Sequence, residues 1–429
     1  MRGFGRSFTS AFIVVAMVFV TALAVRAVGS STPSPNAGDQ TAPAKPAAAP
    51  VAAAPVDLVA RGRFLVISHA CGECHGGGED PAAKGWLIGS TGPATDFKIG
   101  PPPCGSDPKA TGCFTTRPSN LTPDDSTGMG RFTERQLFNA LRYGLRPEDT
   151  PDVAITSMTP GKGNFPMRPH YLAPPMPWAA WRHMPDADLR AIAAYLKRGL
   201  KPVVNKVADS EGPPDFWASA MTPDKIGPYP APAFPTEYEQ QVAAKDKARV
   251  LRGRALVQDH GCADCHQSPV GPAAKGYLAG ITDPSQDFVI GPCFGDPNAP
   301  CFHGRPKNLT PDKETGIGKY TDQQLFNALR YGLRPEDTPD VKITSTTPGQ
   351  GNFPKEPHYL GPFMPWMSWR YMPDEDLRSI IAYLKLGLKP VSNKVALSDD
   401  MPDHWASVVA TFAPYPSPPF PTVNEVKKK

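Results

Sequence analysis

Cys71-Gly72-Glu73-Cys74-His75 is answered later in the chain by Cys262-Ala263-Asp264-Cys265-His266. Each pentapeptide offers two thiols and, directly after the second, an imidazole. C-x-x-C-H is the pattern of covalent c-type haem attachment, with the thiols as thioethers on the porphyrin edge and the imidazole on the iron. Zinc sites and dithiol redox pairs also use C-x-x-C. A zinc knuckle needs four ligands, however, and neither pentapeptide is followed by a second pair at finger spacing. Two covalently bound haem c groups are therefore expected, at Cys71, Cys74 and His75 and at Cys262, Cys265 and His266.

The motifs sit at equivalent points of an internal repeat. Arg61-Gly62-Arg63 aligns with Arg252-Gly253-Arg254, His69 aligns with His260, and Leu137 to Val153 is identical to Leu325 to Val341. Asp215-Phe216-Trp217-Ala218-Ser219 matches Asp403-His404-Trp405-Ala406-Ser407, and each is followed by Pro-Tyr-Pro. The repeat predicts one domain over residues 57–208, a Pro-rich arm and linker over 209–246, a second domain over 247–398 and a second arm over 399–429. The chain has 429 residues, enough for two domains, and its 54 prolines accompany ample apolar bulk, a composition of long rigid loops more than of disorder.

Three helices are predicted in each half, so the fold class is mainly α. The first runs near Leu58 to Ser68, into the haem motif. The second opens on a capping box, Thr133-x-x-Gln136 or Thr321-x-x-Gln324, and stops at Gly144 or Gly332. The third takes Asp186 or Asp374 as N-cap, with Leu189, Ile192, Ala193 and Leu196, or Leu377, Ile381 and Leu384, at helical spacing.

Residues 1–28 hold Arg2 and Arg6 followed by an uncharged, mostly apolar stretch from Ser7 to Val25, read as a signal peptide or a retained membrane anchor. Residues 29–56, rich in Ala and Pro, read as a semi-extended spacer. Together they place the remainder on the periplasmic side of a bacterial inner membrane. The formal net charge is +4, and three of the cations, Arg2, Arg6 and Arg26, belong to the first segment. So neutral a balance gives no support to nucleic-acid binding.

An iron held by one histidine needs a sixth ligand if it is to shuttle electrons without binding substrate. Methionine sulfur serves in cytochromes c and raises the potential. Met176, in Pro-Pro-Met-Pro-Trp, and Met364, in Pro-Phe-Met-Pro-Trp, are the preferred candidates. Met184 and Met372, just before the third helix, also recur and suit core packing better. Met158 and Met167 align with Thr346 and Lys355 and are set aside.

These features together resemble class I cytochrome c domains: C-x-x-C-H near the domain start, Asn120-Leu121-Thr122-Pro123-Asp124 with Thr127-Gly128-Met129-Gly130, and Met176-Pro177-Trp178 before a helix ending Ala194-Tyr195-Leu196. The second half repeats them as Asn308 to Asp312, Thr315 to Gly318, Met364 to Trp366 and Ala382 to Leu384. More narrowly, they are similar to the multihaem cytochrome subunits of bacterial membrane-bound alcohol and sugar dehydrogenases. The resemblance implies two tandem class I cytochrome c domains, axial pairs His75 with Met176 and His266 with Met364, and an electron carrier. Its partners would be a dehydrogenase or quinol oxidase on one side and a terminal oxidase or reaction centre on the other. The chain departs from that family in having two haem motifs where three are usual, and in its extra Cys pairs and arms. A dihaem enzyme, such as a peroxidase or thiosulfate dehydrogenase, is the rival reading, disfavoured because both halves offer a His and a Met.

In an exported chain the remaining cysteines read as local disulfides, Cys104 with Cys113 and Cys293 with Cys301, with metal binding the lesser alternative. Arg117, Asn120, Arg305 and Asn308 lie in the shared loop and are candidates for haem propionates, although turn chemistry explains the asparagines equally well. His170 and His358 read as structural, and Trp178, Trp181, Trp366 and Trp369 as packing.

Overall fold

The computed structural model describes residues 57–100, 104, 112–211, 217, 236–267, 271–290, 302–361, 363–396 and 415–426. Leu58–Lys429 forms one compact unit. It is mostly helical, and each half lays down the same series, preceded in the second by one further short helix. The first half has α1 (Leu58–Ser68), α2 (Cys71–His75), β1 (Phe97–Ile99), β2 (Phe114–Thr116), α3 (Glu134–Tyr143), α4 (Trp178–Trp181) and α5 (Asp186–Ala194), which runs on as a π turn over Tyr195–Gly199. The second has α6 (Glu237–Gln240), α7 (Ala244–Asp259), α8 (Cys262–His266), β3 (Phe288–Ile290), β4 (Phe302–Gly304), α9 (Asp322–Tyr331), α10 (Trp366–Trp369) and α11 (Asp374–Ala382), with its π turn over Tyr383–Gly387.

Local chemistry accounts for the helix limits. The capping boxes of α3 and α9 form in full: the Thr133 hydroxyl accepts from Gln136 N–H, and the Gln136 side chain returns to Thr133 N–H. Gly144 and Gly332 end these helices with φ of 68° and 69°. A Cβ on Gly144 would also strike the Trp178 ring at 2.1 Å, so turn and packing both require glycine. The third helices differ from expectation. Pro185 and Pro373 are the N-caps, while Asp186 and Asp374 are first helical residues whose carboxylates are taken by Arg142 at 2.6 Å and Arg330 at 2.7 Å.

α1 packs on α5 and α7 on α11, and each crossing is close because a glycine lies in it. A Cβ on Gly62 would sit 1.8 Å from Ala191 O, and one on Gly253 would sit 1.8 Å from Ser379 O. Leu65, Val66, Trp86, Phe138, Trp181, Leu189 and Tyr195 share the first core, and Val250, Leu256, Tyr277, Phe326, Trp369, Leu377 and Tyr383 the second. A hairpin of β1 and β2 pairs Phe97 with Thr116 and is bridged by the Cys104–Cys113 disulfide; β3 and β4 pair likewise, Phe288 with Gly304. Cys293 and Cys301 lie outside the described residues.

The halves are locked by a reciprocal set of charges. Arg61 grips Asp188 through two bonds of 3.0 Å and reaches Asp376 at 3.3 Å; Arg252 grips Asp376 at 3.0 and 2.9 Å and reaches Asp188 at 2.9 Å. α1 also touches α10, and α4 touches α7.

Residues 415–426 belong to the arm expected over 399–429, and they return to the first half. Arg63 Nε meets Glu425 Oε1 at 2.6 Å, and the same oxygen accepts from Tyr195 OH at 2.6 Å, which itself accepts from Trp86 Nε1 at 3.0 Å. Lys201 N–H donates to Asn424 O at 2.9 Å, and Val426 N–H to Gly199 O at 2.9 Å. In the second half Glu239, just before α7, lies 3.6 Å from Arg254 in the equivalent place. Both acids follow the same words, Phe234-Pro235-Thr236-Glu237-Tyr238-Glu239 and Phe420-Pro421-Thr422-Val423-Asn424-Glu425. Residues 30–57, ahead of α1, contain no such segment.

Candidate haem-attachment sites

α2 is an isolated helical turn framed by left-handed backbone, with φ of 55° at Ala70 and 99° at Gly76. α8 is framed by Gly261 at 61° and Gln267 at 86°. Non-glycine residues rarely adopt such values, and here they break the backbone on both sides of the Cys-Cys-His turn. The following loop is pinned to it: Leu87 N–H donates to Gly76 O at 2.8 Å and Gly89 N–H to His75 O at 2.8 Å, with Leu278 and Gly280 repeating both bonds on Gln267 and His266.

His75 Nδ1 lies 2.7 Å from Ser119 O, and His266 Nδ1 lies 2.7 Å from Lys307 O. A carbonyl can only accept, so Nδ1 carries the hydrogen and Nε2 keeps its lone pair. Burial lowers the pKa of both imidazoles, holding them neutral. A neutral ring whose tautomer is fixed by a backbone carbonyl is how metal-ligating histidine is oriented.

The four motif cysteines are not disulfide-bonded. Burial pushes the Cys71 thiol up to about 12 and the Cys265 thiol up to about 11, and raises Cys74 and Cys262 as well. A dithiol redox pair works through a depressed thiolate pKa, so the site does not suit that chemistry.

Met176 is half-buried against the apolar cluster that also takes Cys71, and Met364 against the one that takes Cys262. Both loops turn in the same way: Trp178 N–H donates to Met176 O at 2.8 Å and Trp366 N–H to Met364 O at 2.8 Å. Trp178 stacks on Tyr171 and Trp366 on Tyr359, with ring centroids 5.7 and 6.0 Å apart. Met184 and Met372 are each 2% exposed and fill the cores. Met167 stands 71% exposed. Each half thus offers two unpaired thiols and a neutral imidazole on one helical turn, and packs the first of those cysteines and a methionine on one apolar cluster, a donor set that fits the iron and edge of a haem c.

The four side chains expected at propionates have protein partners. Asn120 donates to Val203 O at 2.8 Å and Thr127 Oγ1 at 3.1 Å, and its carbonyl accepts from Thr122 N–H at 3.0 Å. Asn308 repeats this on Val391 O at 2.7 Å. Both tie the loop to the segment after the third helix. Arg117 pairs with Asp96 at 3.1 Å and Glu211 at 3.0 Å, and Arg305 with Asp287 at 2.9 Å. In the same loop, hydrogen bonds from Thr127 and Ser126 hold the Asp124 carboxyl down to about 2. His170 and His358 lie half-exposed beside Asp149 and Asp337. Sequence reasoning aligned His69 with His260 but did not foresee that the two rings meet, with centroids 4.0 Å apart, next to Asp259.

No family model matches the chain. It is similar to the gluconate 2-dehydrogenase cytochrome c subunit of Pantoea cypripedii, 26% identical over 353 residues, covering 80% of this chain and 63% of that one. It is also similar to the fructose dehydrogenase cytochrome subunit of Gluconobacter japonicus, 24% identical over 344 residues, covering 76% and 52%. A protein of Cereibacter sphaeroides described as a diheme cytochrome c-type is 25% identical over 154 residues, 35% of this chain and 40% of its own. The chain spans between about half and under two thirds of the length of the two dehydrogenase subunits.

Proposed function

We propose that this chain is a dihaem c-type cytochrome, two class I cytochrome c folds in tandem, and an electron carrier rather than a catalyst. It would take electrons from a dehydrogenase or quinol-oxidizing enzyme and deliver them to a terminal acceptor on the periplasmic side of the inner membrane. The observation that carries this reading is the duplicated site: a pinned Cys-x-x-Cys-His turn, with His Nδ1 on a backbone carbonyl and a methionine on the same apolar cluster, occurs in both halves. Similarity to the dehydrogenase cytochrome subunits supports the choice of donor. Among the described residues no helix is long and apolar enough to cross a membrane; residues 1–28, proposed as signal or anchor, lie outside them.

Haem c bound at each site would supply a one-electron couple. His75 and His266, as neutral imidazoles of fixed tautomer, and Met176 and Met364 would hold the iron, Cys71, Cys74, Cys262 and Cys265 would attach the porphyrin, and buried Trp, Leu and Phe would keep water away. A methionine ligand favours the reduced iron and raises the potential.

Acid acetone extraction of the denatured protein should leave two haems on the polypeptide. Each oxidised haem should be low-spin, with the weak long-wavelength band of sulfur-to-iron charge transfer. Met176→Ala should remove that signal from one haem, lower its potential and open it to carbon monoxide, leaving the second unchanged. Wild-type protein that already binds carbon monoxide or turns over peroxide would overturn the carrier reading.

A further inference from the structure

His69 follows α1 and His260 follows α7, each two residues ahead of the first cysteine of its haem motif, and the two meet where the halves abut. Their rings are tilted by 30° with centroids 4.0 Å apart, and Trp181 and Trp369 stand edge-on at 6.0 and 5.9 Å. Asp259 completes the group: its Oδ1 is 2.5 Å from His260 Nδ1 and 3.6 Å from His69 Nε2. The side chains of His69, Asp259 and His260 are only 1–2% exposed.

The hydrogen-bond accounting leaves a specific want. His69 Nδ1 lies 2.8 Å from Leu65 O and His260 Nδ1 lies 2.8 Å from Leu256 O, so both rings carry their hydrogen on Nδ1. Each Nε2 is then a lone-pair acceptor, and both Nε2 atoms are buried with no hydrogen-bond partner. Buried polar atoms normally find one, and leaving them without is costly. Two imidazole acceptors beside a carboxylate ask for a cation.

We infer that His69, Asp259 and His260 form a binding site for a divalent transition metal of the zinc class, separate from the haem irons, which clamps the two halves together. Two imidazoles and a carboxylate are the donors such an ion takes, and a backbone carbonyl on each Nδ1 is the outer support that orients a ligating ring. One ligand atom from each of the three residues lies within 4.8 Å of the other two. The edge of a zinc tetrahedron with nitrogen and oxygen ligands is roughly 3.3 Å, so binding draws the three together by roughly 1.5 Å at most. Burial and the flanking indoles exclude competing water, and the carboxylate offsets part of the ion's charge.

The test is metal analysis of the full-length, haem-loaded protein, equilibrated with micromolar zinc and freed of excess by gel filtration. Iron and zinc are counted separately, so the haem reading and this one stand or fall apart. The wild type should hold one zinc per chain besides its iron, and the His69→Gln, His260→Gln double variant should hold none while keeping the same iron. X-ray absorption at the zinc edge on the wild type should show two imidazole shells at about 2.0–2.1 Å, a readout that does not depend on the variant folding. Wild-type protein that retains no zinc overturns the assignment. Zinc kept by the double variant, or an absorption spectrum without imidazole scattering, would overturn it as well.

Discussion

His183 shows how one buried group can set the acid limit of the fold. Burial first, then the Arg182, Arg142 and Arg254 guanidiniums, hold its imidazole down to about 4, against a pull upward from Asp259. The unfolded chain binds that proton with a pKa of 6.5, so the contribution is complete above pH 6.5 and is lost as pH falls toward 4, about 3 kcal/mol in all. Urea unfolding between pH 7 and 4.5 should therefore fall less steeply for His183→Gln than for the wild type; parallel curves would refute this. At this scale the candidate haem ligands stand out in the sequence because covalent attachment needs two thiols and an imidazole within one helical turn. The meeting of His69 with His260 does not, because alignment shows equivalence and says nothing about contact.

The glycines at the helix crossings carry more of the fold than their size suggests. Gly62→Ala would drive a methyl group against Ala191 O, 1.8 Å away, and should cost roughly 3 kcal/mol, with Gly253→Ala doing the same in the second half. Denaturant midpoints test both, and a change within experimental error would mean that the crossings relax. Thr133→Ala, which removes a cap and leaves the packing intact, should cost only about 1 kcal/mol. The limits of α1, α3 and α9 were readable since periodicity, caps and terminal glycines are local signals. Asp186 and Asp374 misled for a physical reason: a carboxylate at a helix start can serve the backbone or a neighbouring arginine, and Arg142 and Arg330 claim them across the fold.

For the whole molecule the decisive contact joins Arg63 to Glu425, whose side chain is fully buried. Glu425→Ala would leave Arg63 and Tyr195 without their shared partner, and should destabilise the protein by about 3 kcal/mol. On the proposed dihaem reading the loss should fall first on the first half, as a lowered unfolding midpoint of the haem at His75 in a two-probe melt. Equal loss at both haems would contradict this. Glu239 meets the same need in the second half from the segment just before α7. The repeated Phe-Pro-Thr-x-x-Glu words carry the signal, yet they lie within the segments 209–246 and 399–429 that read as arms. Only the folded chain shows that the later copy stands in for one that residues 30–57 lack.

That substitution bears on the order in which the protein can be made. The second half has its glutamate in hand before its first helix emerges, whereas Arg63 must wait for a partner 362 residues further along the chain. The half that leaves the ribosome first is thus the last to gain its full set of contacts.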